Sequence, residues 1–94
     1  MASLFYLIQL ANYMYSVYIL SSKSTGRFYV GYTNNMDRRI SEHNRKKGKY
    51  TDAGIPWEIV YTEEYDKKKD AQDRERFIKS RKSKSYIEDL VKEK

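Results

Sequence analysis

The chain has 94 residues, the length of one domain with one modest core and no room for a second domain of useful size. It contains no cysteine, which excludes a disulfide framework, a zinc–thiolate site and a thiol nucleophile, and its single histidine, His43, argues against a multi-histidine metal site. Lys and Arg number 19 against 13 acidic residues, and the resulting net charge of +6 favours a polyanionic partner, nucleic acid ahead of a membrane surface.

Residues 1–14, MASLFYLIQLANYM, are largely apolar and carry no charged side chain. They lack the basic leader of a signal peptide and fall short of the roughly 20 apolar residues that span a bilayer. Met14 directly precedes the first strand-like run. The expected start is therefore Met14, with residues 1–14 an N-terminal extension of artefactual origin and residues 15–94 the domain. The alternative is a hydrophobic segment that packs on the domain or on a partner.

Tyr15 to Leu20, YSVYIL, is rich in aromatic and β-branched residues and reads as a strand. Ser21 to Arg27 is small and polar and contains Gly26, as a hairpin connection does. Phe28 to Tyr32 is the returning strand, and Thr33-Asn34-Asn35 offers N-cap chemistry for a helix from about Asn35 to Lys47. Met36 and Ile40 on that helix face a core. Gly48 to Pro56 reads as a loop, and Trp57 to Tyr65 alternates as a third strand. Asp66 is the expected cap of a helix from Lys67 to Lys82, and Ser85-x-x-Glu88 is a capping box opening a last helix over Tyr86 to Lys92. The order β-β-α-β-α-α predicts an α+β domain, a small three-stranded antiparallel sheet flanked by helices.

Within this order, Val17-Tyr18-Ile19 and Tyr29-Val30-Gly31 lie on the two hairpin strands, with Tyr18 and Tyr29 eleven residues apart. Arg39 follows ten residues after Tyr29, His43 one helical turn later, and Glu75 on the next helix. This ordered set resembles the GIY-YIG nuclease family, over about Tyr15 to Leu90. It is nearest the short single-domain bacterial members, with VYIL, YVGYT, RR, EHN and KYT in sequence, and is similar to the nuclease domain of the excision-repair excinuclease. Ser16 stands where the first motif has glycine, and Tyr32 where some relatives carry a lysine that aids the base.

The resemblance implies hydrolysis of nucleic-acid phosphodiesters by an endonuclease with one Mg²⁺ (or Mn²⁺) on Glu75. Arg39 would stabilise charge on the phosphate, and Tyr18 or Tyr29, Tyr18 by preference, would be general base to the attacking water. His43 would hydrogen-bond that tyrosine or the phosphate. DNA repair and a cytoplasmic location are the expected setting.

The residues taken alone point the same way. Asn35, Arg39 and His43 form one stripe at helical spacing. Ala71, Glu75 and Ile78 form another, and a carboxylate among apolar neighbours requires a cationic partner. That partner is a metal ion or, alternatively, Arg39 itself in a direct ion pair. A divalent ion on one carboxylate keeps its waters and the phosphate as remaining ligands. Gly31, without a side chain, permits close approach of a backbone or a phosphate, or marks a bulge.

Lys46, Lys47 and Lys49 with Tyr50, and Arg81 in a stretch of nine basic against three acidic residues from Lys67 to Lys84, are the expected nucleic-acid contacts. No element resembles a major-groove reading helix, so recognition of backbone or structure is expected in preference to sequence. Partners are read as nucleic acid, DNA ahead of RNA, with no membrane. A protein that supplies targeting is a further expected partner, and the chain itself is read as a monomer or weak dimer. The rival readings are a non-catalytic nucleic-acid-binding module on the same fold and a protein-interaction domain.

Overall fold

Aromatic and β-branched residues put Tyr15–Ser22 into strand β1, and Val17 to Leu20 are buried without a break. An unbroken buried run marks a strand covered on both faces. In the computed structural model, which describes residues 14–93, β1 is the centre of a three-stranded antiparallel sheet of order β2-β1-β3. The expectation for the N-terminal extension falls on residues outside that range, Met14 apart. Strand β2 is Phe28–Thr33 and β3 is Trp57–Tyr65. The β1–β2 register sets Tyr18 opposite Gly31, and a bulge between Ile19 and Leu20 interrupts pairing with β3.

Alternation along β1 divides the core. Val17 and Ile19 pack with Val30, Ala71, Ile78 and Leu90 under helices α2 (Lys68–Ser80) and α3 (Lys84–Lys92). Tyr18 and Leu20 pack on the other face with Trp57, Tyr29, Met36 and Ile40, under helix α1 (Met36–His43). The α+β class and element order are those expected, with a short 3-10 turn, Tyr50–Gly54, inside the expected loop.

Element ends differ from expectation for identifiable reasons. Helix α1 begins under the Asn35 cap, as expected, but stops at His43 and not at Lys47. Asn44 ends it because its side chain is used elsewhere: Nδ2 donates to the Trp57 carbonyl at 2.9 Å and Oδ1 accepts from the Trp57 N–H at 2.6 Å. Helix α2 is capped at Lys67 without side-chain help, so Asp66 is not its cap, and it ends before Lys82, which lies at φ +47°. Helix α3 opens two residues earlier than the Ser85 box predicts. Ser83 is its cap, with Oγ accepting from the Tyr86 N–H at 3.1 Å. No helix among the described residues is long and apolar enough to cross a membrane.

Candidate active site

Because β2 is an edge strand, groups from both helical layers reach one cleft around it. The cleft has a volume of about 360 Å³. Tyr18 enters from β1, Tyr29 and Gly31 from β2, Arg38 and Arg39 from α1, and Lys68 and Glu75 from α2. Glu75 is the one acidic residue in its lining.

Tyr18 is almost wholly enclosed, at 1% exposure. Its ring lies over the cross-strand Gly31, where an added Cβ would sit 2.5 Å from the phenol oxygen. The group closest over Gly31 is thus a side chain, the Tyr18 phenol, and not the backbone or phosphate expected, while Gly31 still borders the cleft. The phenol oxygen is 3.2 Å from Nε2 of His43, and the Tyr18 and Tyr29 rings stack with centroids 6.3 Å apart. His43 meets the Tyr29 ring edge-on at 4.5 Å and is itself buried. It stands behind the two tyrosines and not in the cleft lining, and it meets the cleft through Tyr18.

Burial is the largest influence on Tyr18 and pushes its phenol above the ordinary tyrosine value. Tyr29 and Glu75 add to the rise, and Arg39 works against it. Burial likewise holds His43 below its ordinary value, with Arg39 and Lys47 assisting, so the ring is neutral near pH 7. A neutral ring protonated on Nδ1 accepts the Tyr18 proton at Nε2.

The direct Arg39–Glu75 ion pair considered as an alternative does not form. Arg39 pairs with Glu42 at 3.3 Å and Glu75 with Lys79 at 3.4 Å, each on its own helix. The Nε of Arg39 is buried without a hydrogen-bond partner. That leaves a cationic donor beside the cleft whose bonding is incomplete, as an anionic ligand would require.

Among the described residues no three His, Asp or Glu side chains gather as a metal site. A single carboxylate in a roomy polar cleft suits a hard cation that keeps most of its waters, which is the binding habit of Mg²⁺. The donor set therefore fits the ion that the resemblance implies.

Of the basic residues predicted to touch nucleic acid, Lys46, Lys47 and Lys49 are exposed beyond the end of α1. Asp52 organises their loop by accepting the backbone N–H groups of Lys47, Gly48 and Lys49. Tyr50 follows, 82% exposed. Arg81 lies outside the cleft, its guanidinium 5.8 Å from the Phe77 ring centroid and 5.6 Å from that of Tyr86. Sequence reasoning missed Lys68 and Arg38 in the cleft lining. Lys68 precedes Glu75 by seven residues, two helical turns, and that spacing could have revealed it.

Fold and cleft together define a small α+β domain that sets tyrosines, an arginine and a lone glutamate around one polar cavity. The profile of the GIY-YIG catalytic domain matches residues 14–87, and the chain belongs to that family. It is 42% identical over 80 residues to a UPF0213 protein of Bacillus licheniformis, covering 81% of each chain. With a UPF0213 protein of Natronomonas pharaonis it shares 46% identity over 65 residues, covering 68% of this chain and 75% of the relative. The solution NMR structure of a UPF0213 protein from Bacillus halodurans superposes with a TM-score of 0.56 at 39% identity, covering 86% of this chain and 85% of the other. Membership places the chain in a nuclease family.

Proposed function

We propose that this protein hydrolyses phosphodiester bonds of nucleic acid, DNA ahead of RNA, at the cleft between α1, α2 and the hairpin. The observation that carries the reading is the convergence of Tyr18, Tyr29, Arg39 and Glu75 from four separate elements on one cavity. The packing of a core does not require such convergence of polar side chains.

In this reading Arg39 binds the scissile phosphate and meets the charge that develops on it, its unpartnered Nε gaining the acceptor it lacks. Lys68 and Arg38 supply further positive charge in the same cavity. Tyr18 removes the proton from the attacking water while passing its own phenolic proton to Nε2 of His43. The water's proton thus ends on the tyrosine oxygen and the tyrosine's proton on the imidazole. Tyr29, stacked on Tyr18, positions the water or the phosphate. Glu75 would hold Mg²⁺ (or Mn²⁺), which supplies charge neutralisation at the phosphate and leaving oxygen and favours the phenolate. Lys46, Lys47, Lys49 and Arg81 contribute long-range attraction for the polyanion.

Incubation of the purified protein with labelled single-stranded, duplex and branched DNA and with RNA, in Mg²⁺ or Mn²⁺, tests this. Cleavage is expected with metal, is abolished by EDTA, and falls in Glu75→Ala and Arg39→Ala. Equal salt-sensitive binding by all three proteins without cleavage would replace catalysis with a binding role.

A further inference from the structure

Tyr29 borders both the cleft and a second cavity, a pocket of about 220 Å³ between the hairpin and the 3-10 turn. Phe28, Tyr29, Gly54 and Trp57 form its apolar walls, and Arg27 and Tyr50 stand at its rim. The Trp57 wall is fixed in place. Its indole N–H donates to the Thr51 carbonyl at 3.0 Å, and its ring lies so close over Gly54 that any side chain there would collide with it. Tyr50 is the opposite case, an aromatic side chain 82% exposed. The Arg27 guanidinium holds it by donating to its hydroxyl while lying 5.7 Å from its ring centroid.

We propose that this pocket receives one unpaired nucleobase of the strand whose backbone crosses the cleft. The inference rests on the nuclease reading and adds a substrate class to it. Three features support this occupant over an apolar one. The pocket adjoins the proposed phosphate site, with Tyr29 lining both, so a base held here belongs to a nucleotide next to the cleft. Its surroundings are cationic: exposed Lys47 and Lys49 lead into Tyr50, and Arg27 also borders a groove with Lys82 and Lys84, on a path that further phosphates could follow. Its walls are aromatic, and of its polar side chains Arg27 donates to the Tyr50 hydroxyl and Thr25 accepts from the Arg27 N–H, so both are already engaged. Such a site stacks any base without reading its identity. A paired base must leave its stack to enter, so single strands, ends and branch points bind ahead of intact duplex.

Trp57 is the only tryptophan of the chain, so its emission reports on the pocket. The Glu75→Gln protein, chosen to prevent cutting during the titration, is titrated with a short single-stranded oligonucleotide, with its duplex, and with an abasic oligomer carrying the same phosphates. The single strand is expected to quench Trp57 and to bind about tenfold more tightly than the abasic oligomer, which leaves the emission unchanged. Tyr50→Ala removes that tenfold advantage without altering abasic binding, and Tyr50→Phe, which keeps the stacking face, restores it. Equal affinity for the abasic and natural strands, or no effect of Tyr50→Ala, overturns the pocket. The cleavage assay on the unaltered protein is read separately. Base-dependent quenching without cleavage retains the pocket and removes catalysis, whereas cleavage without base dependence retains catalysis and removes the pocket.

Discussion

Two arginines on opposite sides of the sheet are bonded in contrasting ways. Arg74 on α2 meets Glu63 of β3 through two parallel contacts, Nε to Oε1 at 2.9 Å and Nη2 to Oε2 at 3.0 Å. The Tyr65 hydroxyl donates to the same carboxylate at 2.6 Å, and the Tyr61 hydroxyl also donates to it. Burial disfavours that carboxylate's charge, but Arg74 and the two hydroxyls outweigh it and hold Glu63 below its ordinary value. Among the described residues, Arg39 on α1 has one ion pair, to its helical neighbour Glu42, and a buried Nε with no hydrogen-bond partner. A saturated network joins elements, while an unsaturated one beside a cavity leaves donors for a ligand. Similar chemistry therefore joins elements at Arg74, and at Arg39 leaves a donor for the proposed substrate.

Exchanging the two substitutions breaks or upholds that contrast. Arg39→Ala and Glu75→Ala are expected to lower the cleavage rate by about 10²–10³-fold, the loss typical of a charge-stabilising group, with little change in Tm. Arg74→Ala leaves Glu63 without its cation and is expected to destabilise the fold by about 2 kcal/mol. In a domain of this size that lowers Tm by roughly 10 °C, with activity per folded molecule retained. Calorimetry run beside the cleavage assay reads both. A large Tm loss in Arg39→Ala would assign that residue to the architecture instead.

Gly31→Ala sharpens the comparison on the face that carries the Tyr18 phenol. The added methyl would meet the Tyr18 phenol, which has little room to retreat because it is enclosed and bonded to His43. Overpacking of this kind costs about 1–3 kcal/mol. It also moves the proposed base, so activity is expected to fall further than stability accounts for. Cleavage per folded molecule, with the folded fraction read from a denaturation curve, decides between a packing role alone and a packing role joined to catalysis.

The same contrast explains what the sequence disclosed. The three strands and the two tyrosines were legible because aromatic and β-branched runs separated by a polar hairpin admit few other arrangements. The Ala71, Glu75, Ile78 stripe was legible because helical spacing is local: Ala71 and Ile78 are buried and Glu75 borders the cleft. The end of α1 was not. Arg45, Lys46 and Lys47 continue a helix by propensity, but Asn44 bonds the backbone of Trp57, thirteen residues on. Two serines compete as the cap of α3, and only the turn at Lys82 selects Ser83. Partner choice between Arg39, Arg74 and the glutamates is likewise a long-range matter, which is why a direct Arg39–Glu75 pair stood as an alternative.

Acid should unsettle the His43 side of the sheet before the Glu63 side. Because the folded state holds His43 below its ordinary value of 6.5, the unfolded chain binds more protons as pH falls below that value. The neutral ring's contribution is therefore complete above about pH 6.5 and declines below it, towards the lowered folded value. Glu63, also lowered, gives a contribution present above its ordinary value of 4.5 and lost only below that. Tm is expected to fall first as pH drops below 6.5, ahead of the fall below 4.5. His43→Gln should flatten that first fall and leave the second, and an unchanged first fall would assign it to another group.

The smallest effect expected concerns exposed cations that form no ion pair among the described residues. Lys46, Lys47 and Lys49 are exposed and carry no ion pair among the described residues, whereas Lys69 is bridged to Asp73 at 2.9 Å. A lysine that neutralises a phosphate releases a counterion, and its loss lowers the slope of log affinity against log salt by about one. A lysine already answered by a carboxylate has less to contribute, because that carboxylate opposes the approach of the phosphate. Binding of the Glu75→Gln protein to a single-stranded oligonucleotide over a salt series is the measurement. Lys47→Ala and Lys49→Ala should each reduce the slope by close to one unit, and Lys69→Ala by much less. Equal reductions from all three would mean that the basic surface attracts nucleic acid as a diffuse field, and would leave the loop before Tyr50 without a particular place along the strand.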